Sequence, residues 1–220
     1  SISEFEKGIN LIKLYGNRSD ILVKSSSVKQ GLLNVELSVE GDTFAIQSQL
    51  FGDYNINNIL TAFAVGYYFK VDPMRIVSAI EQYTPANNRS QVKTSNKNNR
   101  LVLDAYNANP TSMNNAIVGF SKLDNDNAYY LLGDMLELGE ESKGEHMKIL
   151  ELLASLKGVK FLIGQEFGKN KANYDNNEEF YFYNDVNALM LELSNLNIEN
   201  SDLLIKGSRG IALEKTLSEL

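Results

Sequence analysis

From residue 101 onward the chain keeps to one rule: each short apolar run of strand length is followed by a segment of helical periodicity. The runs, apolar apart from Asp104, Lys160 and Lys206, fall at 101–104, 129–132, 159–163, 181–183 and 203–206. After Thr111, Met113, Ala116, Ile117 and Phe120 recur at helical spacing; a second helix is predicted over about 141–156, and Val186, Leu189, Met190 and Leu193 mark another over 186–194. A short element follows Gly164, and a last helix is predicted near 211–217. Strands that run the same way need a crossover between them, which a helix supplies. The order therefore predicts an α/β fold: a mostly parallel sheet with helices on both faces.

The first 85 residues follow a different pattern. Strand-like runs at 10–15 and 20–24 flank the turn Gly16-Asn17-Arg18-Ser19. Leu33, Val35, Leu37 and Val39 then alternate with polar residues, Glu40-Gly41-Asp42 turns the chain, and Phe44, Ile46 and Leu50 continue the alternation, as in a hairpin with one buried face. Ile56, Ile59, Leu60, Phe63 and Tyr67 mark a helix, and Asp72-Pro73 supplies the cap and first residue of another, with Ile76, Ile80 and Tyr83 on one face. These strands predict no complete sheet of their own. The change of pattern places a domain boundary at 85–91, giving domains 1–85 and 86–220, and 95–99 reads as a solvated turn.

Composition narrows the chemistry. A net charge of −7 disfavours a nucleic-acid partner, whose phosphates call for a basic face. No apolar run approaches the roughly 20 residues of a membrane span, and no targeting segment opens the chain, so a cytoplasmic protein with no membrane partner is expected. With no cysteine and only His146, thiolate catalysis and histidine-built metal sites are unfavourable readings. The first residue is Ser1 rather than methionine, and the chain is expected to be a piece of a longer protein.

Candidate site residues gather where strands end. Asp104 closes a strand and is followed by Tyr106, Asn107 and Asn109 before a helix; a carboxylate there can accept from a ribose diol, and the amides can meet a polar substrate. Their plainer reading is turn and cap chemistry. Lys206-Gly207-Ser208-Arg209-Gly210 also follows a strand and reads as a helix start with two cations and a hydroxyl, suited to a carboxylate or phosphate, or simply as a glycine turn. Arg89, in the linker, can reach a phosphate and move with the domains; Asn55, Asn57 and Asn58 cluster at a helix start, where asparagine is usually a cap. Residues 133–139 hold two carboxylates near His146 but lack the surroundings of a catalytic centre, and 180–183 reads as a buried strand. The chain has no G-x-x-x-x-G-K-[ST] phosphate loop.

Five segments stand in a telling order: Gly-Asp-Tyr-Asn-Ile-Asn-Asn at 52–58, Asn-Asn-Arg-Ser-Gln at 87–91, Asp-Ala-Tyr-Asn-Ala-Asn-Pro-Thr-Ser-Met at 104–113, Gly-Asp-Met-Leu-Glu-Leu-Gly at 133–139 and Lys-Gly-Ser-Arg-Gly at 206–210. In this the chain resembles the Mur ligases, most closely the branch that adds D-alanyl-D-alanine to UDP-N-acetylmuramoyl-tripeptide. The resemblance implies that residues 1–85 are the C-terminal part of a central ATPase domain and 86–220 a C-terminal Rossmann-like ligase domain. It implies a monomeric ATP-dependent peptide ligase of peptidoglycan synthesis, working through an acyl phosphate, with ATP and Mg²⁺ as cofactors and the metal ligands upstream of Ser1. By motif position, Asn55 and Asn58 are implied at the adenine, Arg89 at the phosphates, Asp104 at the ribose, Asn107 and Asn109 on the substrate side, and Ser208 and Arg209 at the dipeptide carboxylate. Without the phosphate loop this chain alone is expected to be inactive. Another Mur-type or folylpolyglutamate-type ligase, or a non-catalytic nucleotide- or peptide-binding module, are the alternatives.

Overall fold

The structure, a computed structural model, describes residues 21–123 and 125–220. The expected strand at 10–15 lies outside the described residues. The chain divides between Thr84 and Pro85 into two compact units.

In the first unit β1 (Ile21–Lys29), β2 (Leu32–Val39) and β3 (Asp42–Phe51) form an antiparallel three-stranded sheet, so the hairpin has a third strand beside it. Leu33, Val35, Leu37 and Val39 of β2 are buried, as their alternation requires, and pack with Ile46 of β3 against Ile59, Leu60 and Phe63 of α1 (Ile56–Tyr68) and Ile76 and Val77 of α2 (Pro73–Gln82). Asp72 caps α2 by accepting the Arg75 N–H at 3.1 Å. Tyr83, expected on the apolar face, ends the helix instead and is exposed.

The second unit is built on a six-stranded sheet in the order β4-β5-β9-β6-β7-β8. Its strands are β4 (Gln91–Thr94), β5 (Arg100–Asp104), β6 (Ala128–Gly133), β7 (Val159–Ile163), β8 (Phe180–Tyr183) and β9 (Asp202–Lys206). All pairings are parallel except that of β4 with β5. The parallel sheet follows the expected α/β pattern; β4 falls where no strand was expected. Central β9 is buried along its whole length, as a parallel strand covered on both faces must be. One face packs on Val186, Leu189 and Leu193 of α6 (Val186–Leu193) and on Leu213 and Leu220. On the other, Phe120 of α3 (Pro110–Ser121) meets Tyr130 edge-on at 5.1 Å. α4 (Ser142–Ala154) and the single turn α5 (Gln165–Gly168) complete the helices.

Three local expectations are corrected. Asn99 of the turn 95–99 is fully buried rather than solvated: its side chain donates to the carbonyls of Ile198 and Leu220 and accepts the Ser201 N–H. β8 is an edge strand, with Tyr181 exposed. The last helix is replaced by two 3-10 segments, Arg209–Ile211 and Leu213–Ser218, parted by Ala212 at φ 58°, a left-handed residue that breaks an α-helix.

Candidate functional site

β5, β9 and β6 lie side by side, so the loops leaving their carboxyl ends are neighbours, the usual ligand position on an open parallel sheet. Register sets the first contact. Asp104 and Lys206 are paired positions on β5 and β9, and Lys206 Nζ donates to Asp104 Oδ2 at 2.5 Å and to the Asn107 carbonyl at 3.2 Å. Lys206 is only 1% exposed. It is therefore a buried partner of Asp104, not one of two cations waiting for an anion. Asp104 Oδ1 also accepts the Ser90 N–H at 3.1 Å, yet each carboxylate oxygen has two lone pairs and the side chain is partly exposed, which leaves capacity for a ligand hydroxyl.

That Ser90 contact also places Arg89. Asn87, Asn88 and Ser90 all have positive φ, a conformation asparagine tolerates and serine does not favour. The turn is held by the Asn88 N–H on Gln91 Oε1 and by Gln91 Nε2 on the Pro85 carbonyl. These bonds tie Arg89, read from the sequence as part of a linker, to the second unit. Its guanidinium carbon lies 3.7 Å from the centre of the Tyr106 ring, and that of Arg209 lies 5.5 Å from the same centre.

The two asparagines after Asp104 do local work. Asn107 Oδ1 accepts the Ala108 N–H at 2.9 Å. Asn109 caps α3: its Oδ1 accepts the Ser112 N–H at 2.8 Å while Ser112 Oγ accepts the Asn109 N–H at 3.1 Å, a reciprocal capping box followed by Pro110. Both side chains are at the surface, and no group among the described residues takes up their NH₂ donors.

Ser208 is buried beneath the loop after β6. Its hydroxyl accepts the Leu136 N–H at 2.9 Å and its own N–H donates to the Asp134 carbonyl at 3.1 Å. Arg209 is exposed. Because a 3-10 turn follows rather than an α-helix, the anion-binding reading of 206–210 rests on Ser208 and Arg209, without a helix dipole or Lys206.

The loop at 134–136 is held by contacts the sequence left unseen. Buried Asp134 accepts the N–H groups of Glu166 and Phe167, both at 2.9 Å. A Cβ on Gly164, whose φ is 123°, would stand 2.2 Å from Asp134 Oδ2, so only glycine fits there. His146 is fully buried; its Nε2 accepts the Met135 N–H at 3.0 Å, which leaves Nδ1 to donate to the Ser142 carbonyl at 2.7 Å. Its role is structural. Hydrogen bonds from Lys169 and Ser142 hold the Glu166 carboxyl below the usual carboxylate range.

In the first unit Asn55 and Asn58 are joined: Asn58 Nδ2 donates to Asn55 Oδ1, and Asn55 Nδ2 to the Phe51 carbonyl, both at 2.7 Å. Asn55 is buried and both its polar atoms are used, so exposed Asn58 is the member able to meet a ligand. Gly52 stands at φ 81°, where a Cβ would strike the Tyr54 ring. Among the described residues no group of three or more His, Asp or Glu side chains is placed to hold a metal ion, and no helix is long and apolar enough to cross a membrane.

Comparison with known proteins bears on this arrangement. Residues 88–209 match the family described as Mur ligase, glutamate ligase domain. The chain is 32% identical over 123 residues to the UDP-N-acetylmuramoyl-tripeptide--D-alanyl-D-alanine ligase of Rickettsia prowazekii, covering 54% of this chain and 27% of that protein. It is 25% identical over 215 residues to the enzyme of the same name from Bacillus subtilis, covering 94% and 47%. It thus spans between about a quarter and half of these relatives. A crystal structure of MurF from Acinetobacter baumannii shares its fold with a TM-score of 0.83, at 24% identity, over 94% of this chain and 46% of that one. The family match extends over more than half of the sequence, and the chain belongs to the Mur ligase family.

Proposed function

We propose that this chain is part of an ATP-dependent ligase that joins D-alanyl-D-alanine to UDP-N-acetylmuramoyl-tripeptide in cytoplasmic peptidoglycan precursor synthesis. Relatives bearing that enzyme's name in several bacteria carry this reading, including one aligned with nearly all of the chain. Asn58 is assigned to the adenine, with Asn55 behind it, Arg89 to the phosphates and Asp104 to the ribose. The chemistry of the donors and acceptors suits those ligands: Asp104 has acceptor capacity left, and a guanidinium lying on a ring keeps its N–H edge for oxygen. ATP, when bound with Mg²⁺ held by residues outside this chain, supplies the phosphoryl group that activates the tripeptide carboxylate.

The chain's own residues bind and orient. Ser208, fixed by the loop at 134–136, and Arg209 would hold the carboxylate of the dipeptide, leaving its amine to attack the activated carbonyl. The NH₂ groups of Asn107 and Asn109 would steer the same substrate. This is catalysis by positioning, and the 220-residue chain alone should not turn over ATP. The assay uses the full-length protein. Arg209→Ala should raise KM for D-alanyl-D-alanine at least tenfold, with KM for ATP within twofold of wild type. An unchanged dipeptide KM would overturn the assignment of Arg209.

A further inference from the structure

We propose that Tyr106 is a positioning residue whose ring holds Arg89 and Arg209 together as one rim for anionic oxygens. Arg89 arrives from the strained turn before β4 and Arg209 from the loop after β9, yet both guanidiniums lie over the same ring, at 3.7 and 5.5 Å from its centre. Two like charges brought to one place need compensation. No carboxylate among the described residues forms an ion pair with either, and Asp104, the acid next to Tyr106 but one, is engaged by buried Lys206. The negative face of the ring supplies the attraction, and a guanidinium resting on it still offers its N–H fork sideways to a phosphate or carboxylate. The rim is therefore positive and, among the described residues, meets no carboxylate partner, which suits a phosphate.

The inference rests on the ligase reading: there Arg89 meets the nucleotide phosphates and Arg209 the dipeptide carboxylate, so Tyr106 sets the spacing between the two substrates. Its structural part is tested without turnover. In the 220-residue chain, nuclear magnetic resonance of the arginine side chains, assigned with Arg89→Ala and Arg209→Ala, should show ring-current displacement of both residues in wild type and in Tyr106→Phe. Inorganic phosphate should bind these two proteins equally and Tyr106→Leu at least fivefold more weakly, with the circular dichroism of all three unchanged. Absence of a ring shift on either arginine in wild type would overturn the proposal, as would equal phosphate affinity in folded Tyr106→Leu. Failure of the ligation assay would leave these signals unaltered, so the two claims fail separately.

Discussion

Removing the charge of Asp104 should harm the protein far more than removing that of Lys206, although the two form one ion pair. Lys206 is 1% exposed, and beyond Asp104 it has only the Asn107 carbonyl. Asp104 has a side chain 17% exposed and keeps the Ser90 N–H. Asp104→Asn preserves shape but strands a buried ammonium, and breaking a buried pair in this way costs about 3–5 kcal/mol. The loss should fall in the lower part of that range, at about 3–4 kcal/mol, because the Asn107 carbonyl still accepts from the ammonium. Lys206→Met keeps most of the buried volume and leaves a carboxylate that water and Ser90 still reach, at a cost of about 1–2 kcal/mol. The double variant then lacks the stranded charge and should be more stable than Asp104→Asn by about 1–2 kcal/mol. Urea denaturation followed by circular dichroism, with amide exchange in β5 and β9 as the local readout, measures all four proteins. A double variant no more stable than Asp104→Asn, or single losses of equal size, would refute the reasoning.

Gly164→Ala forces a side chain into a left-handed position already occupied by the Asp134 carboxylate, and thermal denaturation should show a loss above about 2 kcal/mol. Burial pushes the Tyr130 hydroxyl up to about 12 from 10.0, so the unfolded chain ionises first. Stability from this group is intact below pH 10 and is lost between pH 10 and 12, by roughly 2–3 kcal/mol more in wild type than in Tyr130→Phe, as denaturant titrations across that range would measure. Asn109→Ala removes the cap of α3 and should cost about 1 kcal/mol with faster amide exchange at residues 111–113, whereas Asn109→Ser keeps the cap. Full activity in the full-length Asn109→Ser protein would show that the amide serves only the helix.

Residues whose role depends on their own neighbours in sequence were legible. β7 was readable end to end because 159–163, apolar apart from Lys160, is bounded by Gly158 and Gly164, and Asp72 and Pro73 signalled α2 because cap and first turn are local. β4 was not, since Gln91–Thr94 is polar and its place at an edge is set by β5. Lys206 was misread for the same reason. Both it and Asp104 end a strand, and only the pairing of β5 with β9 sets them face to face. The 3-10 turns after Arg209 keep helical spacing of apolar residues, and one left-handed residue, Ala212, decides against the helix. Arg89 and Arg209 were both singled out by charge and position, whereas the ring that joins them is visible only in three dimensions. The remaining signal in the sequence is a lone aromatic residue set in the polar turn between Asp104 and Asn107.

The most direct measurement is a ligation assay on the full-length protein with ATP, UDP-N-acetylmuramoyl-tripeptide and a panel of amine substrates, with the product weighed by mass spectrometry and ADP counted alongside. The expected result is one amide formed per ADP released with D-alanyl-D-alanine, and no product with single amino acids. Ligation of a single amino acid instead, or glutamate addition to a folate with the dipeptide ignored, would contradict the account.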